Sequence, residues 1–231
     1  MFPVGDDDVR GAGRPWLTWT LIGMNALAFL YQSTLGQSQL EQFIMTYGVV
    51  PAQVVQGQNL ISLFTSMFLH AGWAHILSNM VSLAIFGDNV EAALGKLGYL
   101  LFYLAGGLAA SIAHIAFNLG TQVPSLGASG AVAAIMGAYV VMFPHARVRV
   151  LMIFGFFVRF TRVTALLFVG IWFITQLFSG VASLGVATAQ SGGVAYWAHI
   201  GGFVLGLLVG FLLRGQAPDL ERSTQRKRRE F

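Results

Sequence analysis

The stretch that decides the fold runs from Leu60 to Gly87 and reads LISLFTSMFLHAGWAHILSNMVSLAIFG. None of these 28 residues is Asp, Glu, Lys or Arg. A membrane-spanning helix needs about 20 apolar residues, so the stretch is too long for one perpendicular span. We therefore predict that residues 60–72 lie at the membrane interface or re-enter it, and that a span follows at 73–90.

The composition of the whole chain also indicates a membrane protein. Of the 231 residues, 56% are hydrophobic and 10% are charged, whereas a soluble domain carries about 25% charged residues. So few charges cannot cover the surface of a soluble fold, which excludes a cytosolic globular enzyme and a disordered chain. The absence of cysteine excludes a disulfide scaffold.

Apolar runs predict an all-α polytopic protein with six transmembrane helices. The predicted spans are 16–35, 73–90, 97–118, 127–143, 163–183 and 194–213. The chain then divides into a cytoplasmic N-terminal segment (1–15), a six-span domain (16–213) and a basic cytoplasmic tail (214–231).

The distribution of positive charge sets the orientation of this bundle. With six spans and the N-terminus inside, all 13 Lys and Arg residues fall on the cytoplasmic side, as the positive-inside rule requires. We therefore predict a multi-pass protein of the cell membrane, namely a bacterial inner or plasma membrane, with both termini in the cytoplasm. The net charge of +4 follows from this topology and is not taken as a sign of nucleic-acid binding.

Three polar residues fall at one depth in the membrane. Ser129 lies 15 residues before Pro144, His199 lies 15 before Arg214, and His75 lies 16 before Glu91. At about 1.5 Å per residue, all three lie about 22–24 Å above the inner boundary. Ionisable groups inside spans are costly and point to function, so we predict a site near the outer surface.

Small residues would allow this site to close. Gly130, Ala134 and Ala138 in span four have the same spacing as Gly202, Gly206 and Gly210 in span six. Such faces let two membrane helices approach closely, which would bring Ser129 and His199 within hydrogen-bond distance. Each motif taken alone is also typical of simple helix packing.

The ordered motifs resemble those of the rhomboid intramembrane serine proteases. The resemblance rests on HILSNM at 75–80, GASG at 127–130 and AHIGG at 198–202, and it covers about residues 16–213. It implies the basic six-span rhomboid bundle, with a membrane-embedded first loop after span one and a cap loop at 184–193.

The resemblance also implies roles for individual residues. Ser129 would be the nucleophile and His199 the base of a Ser–His dyad. His75, Asn79 and the backbone amide of Ser129 would form the oxyanion hole. Structural or loop-anchoring roles would fall to the remaining members of the pattern, which are His70, Glu91, Gly127, Gly130 and Gly202.

Two positions depart from the pattern of some family members. Ile61-Ser62 replaces a Trp-Arg pair of the first loop, and Ala133 replaces a Tyr that stacks on the catalytic histidine. Neither departure removes a reacting group. No aspartate lies near enough to orient His199, so we expect the imidazole to be held by packing.

The expected activity is cleavage of single-span membrane proteins in the lipid bilayer, without a metal or cofactor. Span five and the 184–193 loop are the predicted gate, with Trp172 and Phe173 facing span two. The alternatives are an inactive rhomboid-like binding or chaperone protein, a small transporter, and a haem or metal protein using His75, His114 and His199. The sequence leaves the substrate and the oligomeric state open.

Overall fold

The structure is a computed structural model that describes residues 2–9, 13–154, 157–184 and 195–221. It is mostly helical, and the helices are α1 (Trp16–Thr34), α2 (Gln37–Tyr47), α3 (Pro51–Val55), α4 (Ser62–Thr65), α5 (Trp73–Phe117), α6 (Ser129–Met142), α7 (Ala165–Ser183) and α8 (Tyr196–Leu213). Two single 3₁₀ turns, Ser66–Phe68 and Arg214–Gln216, follow α4 and α8. Most of the predicted 184–193 loop and the tail from residue 222 lie outside the described residues.

The long helix α5 is two helices joined at Gly95. The backbone of Gly95 has φ 69° and ψ 168°, which breaks the helix and which glycine adopts without steric cost. In one straight helix residues 87 and 99 would lie about 18 Å apart. Instead a Cβ atom placed on Gly87 would touch the Tyr99 hydroxyl, so the chain folds back on itself as predicted for spans two and three.

Three helices of the described residues are long and apolar enough to cross a membrane. They are Trp73–Phe117, which contains the break at Gly95, Ala165–Ser183, and α8 with its extension to Gln216. Ser129–Met142 is apolar but shorter. Helices occupy all six predicted segments, but the count of six spans remains a prediction.

The centre of the bundle is α6, whose residues Gly130 to Val140 are all buried. It packs between α5 and α8, through the small residues that the sequence analysis singled out. A Cβ on Gly130 would overlap Ala110 of α5, and one on Gly202 of α8 would overlap the carbonyl oxygen of Gly130. Glycine at these positions lets the helix backbones touch, which fixes the relative positions of α6 and α8.

The prediction of an all-α fold is wrong for the N-terminal segment and for the segment between α6 and α7. Strands β1 (Phe2–Gly5), β3 (Arg147–Phe154) and β4 (Phe157–Thr164) form an antiparallel sheet in the order β1-β3-β4. Val148 and Val150 are buried while Arg147 and Arg149 are exposed. This alternation is the period-two pattern of a half-buried strand. The segment was predicted to be a loop between spans four and five, so the strand was not expected.

The N-terminal segment is also packed against the bundle. The short strands β2 (Asp8–Val9) and β5 (Leu220–Glu221) pair with each other. The Asn89 side chain of α5 donates to a carboxylate oxygen of Asp6 and to the Asp7 carbonyl, and it accepts from the Val9 amide. The Asp6 carboxylate also accepts a hydrogen bond from the Tyr139 hydroxyl of α6.

Candidate active site

Ser129 is the first residue of α6. The Ala128 backbone precedes it in a helical conformation, and Ser129 itself is partly exposed while Ala128 and Gly130 are buried. The first amides of a helix have no partner within it, and the helix dipole places partial positive charge there. The hydroxyl of Ser129 therefore lies where developing negative charge is stabilised.

His199 lies in the first turn of α8 and contacts Ser129 directly. The distance from His199 Nε2 to Ser129 Oγ is 2.8 Å. The close packing of α6 and α8 makes this contact, because Cβ atoms on Gly206 and Gly210 would overlap the backbone of Ala134 and Ala138. The two residues are therefore brought together by the faces that the sequence analysis matched.

The second ring nitrogen of His199 has a partner that the sequence analysis missed. His199 Nδ1 lies 2.7 Å from Oε1 of Gln176 in α7, and the Trp172 ring is tilted beside the imidazole at a centroid distance of 5.8 Å. The expectation that packing alone holds this imidazole is therefore wrong. The available signal was that Gln176 is the one carboxamide in predicted span five.

His75 and Ser129 lie on either side of Gly127. A Cβ on Gly127 would stand 2.8 Å from His75 Nε2 and 3.6 Å from Ser129 Oγ. The Ala71 amide donates to His75 Nδ1 at 3.3 Å; for the neutral ring, this leaves the proton on Nε2. His75 therefore presents a donor toward the space beside Ser129. Gly127 has φ +126°, a conformation that L residues rarely adopt.

Asn79 lies one helical turn after His75 and is 5% exposed. Its side-chain nitrogen Nδ2 is buried and has no hydrogen-bond partner. Most buried polar atoms in proteins are hydrogen-bonded, so an unpaired donor calls for an explanation. A donor kept free for a reaction intermediate is one such explanation.

A small cavity of about 30 Å³ adjoins Ser129. Ser66, Ser111, Ser125 and Gly127 contribute to its wall, with apolar atoms from Met67 and Ala198. This volume is large enough to hold water. The nucleophile is thus bordered by a space lined by both polar and apolar groups.

Two of the residues given structural or loop-anchoring roles make contacts that show how they act. The His70 ring nitrogens have no partner; instead, the His70 backbone amide and carbonyl pair with the Gln32 side chain of α1 at 3.0 and 3.2 Å. Glu91 accepts hydrogen bonds from the Leu17 and Thr18 amides at 3.1 and 2.8 Å. Glu91 therefore caps the start of α1, and residue 70 anchors the first loop through its backbone.

The two departures from the family pattern have local explanations. Ile61 is 62% exposed, and the Ser62 hydroxyl donates to the Asn59 carbonyl at 2.7 Å, so the first loop has its own local bonds here. Ala133 is fully buried within the bundle, and Trp172 of α7 lies against the histidine instead. Trp172 and Phe173 both pack against Phe203 of α8, and their orientation toward span two stays a prediction.

The histidines do not form a metal site within the described residues. The one group there that brings three possible ligands together is Asp6, Asp8 and Asp88. Asp88 follows His75 by 13 residues, about 20 Å along the helix, so this group lies at the other end of the bundle. The haem or metal alternative based on His75, His114 and His199 therefore has no support in the geometry.

A helical bundle with a serine and a histidine in contact near a helix start defines a candidate membrane-embedded serine hydrolase. Comparison with known families then gives the family. Residues 57–216 match the rhomboid domain. Because this match covers more than half of the chain, the protein belongs to the rhomboid family.

Individual relatives agree with this assignment. The chain is 27% identical over 223 residues to Rhomboid protein 1, mitochondrial, of Saccharomyces cerevisiae, with 91% of this chain and 56% of the relative covered. It is 32% identical over 126 residues to Rhomboid protease GluP of Bacillus subtilis, covering 54% of this chain and 24% of the relative. It is 31% identical over 190 residues to RHOMBOID-like protein 4 of Arabidopsis thaliana, covering 80% and 43%. The chain thus spans between about a quarter and just over half of the length of these relatives.

Proposed function

We propose that this protein is an intramembrane serine endopeptidase with Ser129 as nucleophile and His199 as general base. The observation that carries the proposal is the 2.8 Å contact between Ser129 Oγ and His199 Nε2 at the start of a buried helix. Membership of a family that includes proteins named as proteases supports it. The oxyanion donors in this proposal are His75, Asn79 and the backbone amide of Ser129.

The chemistry follows from this arrangement. His199 Nε2 accepts the hydroxyl proton as Ser129 Oγ attacks the scissile carbonyl carbon. The resulting oxyanion receives hydrogen bonds from Asn79 Nδ2, His75 Nε2 and the Ser129 amide. His199 then gives its proton to the leaving amine, and water hydrolyses the acyl-enzyme by the same route. The cavity beside Ser129 provides space for that water.

The proposed substrate is a single-span membrane protein whose helix unwinds readily near its outer end. A helix in lipid exposes costly backbone groups when it opens, so an easily broken helix is favoured. The proposed topology is six spans in a cell membrane with both termini in the cytoplasm. Cysteines at Gln37 and Gly215 can be introduced cleanly, because the chain has none. An impermeant thiol reagent should label the first in intact cells and leave the second unlabelled.

The activity is tested with a serine-directed fluorophosphonate probe and a single-span substrate in liposomes. The wild type should be labelled and should cleave, whereas Ser129→Ala and His199→Ala should fold normally and do neither. The double variant should lose no more than either single variant, because the pair acts as a unit. Cleavage that survives Ser129→Ala would refute the proposal. An unlabelled, inactive wild type would favour the inactive binding or chaperone alternative.

A further inference from the structure

Gln176 occupies an unusual place for a carboxamide. It is 9% exposed on α7, a helix whose other buried residues are Ala165, Val169 and Gly180. Burying a polar group costs free energy unless it is hydrogen-bonded. The partners of its two amide atoms therefore indicate why it is there.

The partners on α7 fix the orientation of the amide. Gln176 Nε2 lies 3.5 Å from the Trp172 carbonyl oxygen and 3.3 Å from Thr175 Oγ1. The Thr175 hydroxyl donates its own proton to the same Trp172 carbonyl at 2.6 Å. Both neighbours therefore act as acceptors, which requires the Gln176 nitrogen on that side. The oxygen Oε1 is left facing His199.

This orientation in turn fixes the tautomer of His199. A carboxamide oxygen can only accept, so Nδ1 of His199 must carry the ring proton across the 2.7 Å contact. In the neutral imidazole Nε2 then has a free lone pair, directed at Ser129 Oγ 2.8 Å away. That is the tautomer a general base needs, and the opposite tautomer could not accept the serine proton.

We propose that Gln176 is the positioning residue of the dyad, holding His199 in the base-competent tautomer and orientation through a neutral hydrogen bond. The proposal rests on the function proposed above. An uncharged acceptor suits this location, because a carboxylate buried among apolar residues would carry a large desolvation penalty. The serine, histidine and glutamine come from three different helices, α6, α8 and α7. The histidine is therefore correctly oriented only while α7 lies against α8.

The principal test is Gln176→Met, which keeps the length of the side chain and removes the acceptor. We expect kcat to fall about tenfold, as for loss of one neutral hydrogen bond, with KM unchanged and the fluorophosphonate labelling rate lowered in parallel. Leu177→Met places the same side chain one residue later, where the native residue is exposed. It should leave both constants unchanged.

A second measurement starts from the wild-type enzyme. Nitrogen-15 NMR of labelled histidine, with His199 assigned by comparison with His199→Ala, should show the wild-type ring protonated at Nδ1 at neutral pH. Gln176→Met should give a mixture of tautomers. A wild-type ring protonated at Nε2 would overturn the proposal, as would a folded Gln176→Met enzyme with wild-type kcat. The proposed function fails separately, if Ser129→Ala or His199→Ala retains cleavage.

Discussion

The interface between α6 and α8 and the attachment of α7 are built in different ways. At the interface between α6 and α8, Cβ atoms on Gly202, Gly206 and Gly210 would overlap the backbone of α6, so the two backbones are in contact. Helix α7 packs instead through side chains, such as the stack of Phe173 on Phe203 at 4.1 Å. Much of its remaining surface is exposed, including Ile171 and Phe178.

This difference gives the two regions different roles in the site. Backbone contact leaves little freedom to shift, because protein interiors are close-packed, so α6 and α8 hold Ser129 and His199 at a fixed distance. A helix attached by side chains can move at lower cost. Helix α7 remains our proposed gate, and it carries the residue that orients the histidine.

The largest effect should come from breaking the backbone contact. Gly206→Val would force α8 away from the Ala134 carbonyl. We expect undetectable cleavage and a melting temperature lowered by several degrees, since overpacking costs about 1–3 kcal/mol. Gly170→Val on α7 is the matched control, because nothing lies within 4 Å of its Cβ position. Equal losses in both variants would contradict the contrast between the two regions.

The next effect concerns Asn79 of α5, the proposed oxyanion donor. Asn79→Ala should lower kcat by about 10²–10³, as for loss of one oxyanion donor. Thermal stability should hold or rise, because Nδ2 has no hydrogen bond to lose and its burial is a penalty. Melting curves and steady-state kinetics on the same preparation distinguish this from a structural role. A fall in stability proportional to the loss of activity would refute the donor role.

A smaller effect should follow from displacing α7 alone. A Cβ on Gly180 would stand 3.0 Å from Cδ1 of Ile200, the neighbour of His199. Gly180→Val should push α7 outward, lengthen the Gln176–His199 contact and lower kcat about two- to tenfold. In a Gln176→Met background the same change should cost nothing further. Additive losses would show that α7 acts on the site by another route.

The smallest effect concerns the C-terminal end of α6, where the Asp6 carboxylate accepts a hydrogen bond from the Tyr139 hydroxyl. Burial, followed by the nearby charge of Asp88, raises the pKa of Asp6 from 3.8 to about 8, partly offset by the Tyr139 hydrogen bond. The folded protein therefore holds a proton that the unfolded chain releases near pH 4. The contribution of protonated Asp6 to the free energy of unfolding is therefore complete below about pH 4 and is lost as pH rises through about 8.

Asp6→Asn tests this pH dependence, because Asn keeps an acceptor oxygen and cannot ionise. The variant should melt at about the wild-type temperature near pH 5 and above it near pH 9. Asp219→Asn, at an exposed carboxyl, controls for the change in net charge. If Asp6→Asn is the less stable protein at high pH, the carboxylate is ionised and favourable in the fold.

Part of this protein could be read from its residues alone. The lack of charge over 60–87 indicated a membrane protein, and the glycine spacing of 202, 206 and 210 predicted the face that meets α6. Equal counts to the helix ends predicted one depth for Ser129, His199 and His75, and the first two are in contact. These features follow from period and length along single helices, so they are local properties of the sequence.

The tertiary structure decided what depends on the approach of distant segments. Pairing of β1 with β3 joins residues 2–5 to residues 149–151, and no local sequence pattern indicates which segments will pair. The Glu91 cap on α1 and the Gln176 acceptor on His199 also cross between helices. A glutamine in an apolar span is compatible with many roles. The orientation of α7 against α8 determines the role of Gln176, because it turns the amide oxygen toward Nδ1 of His199.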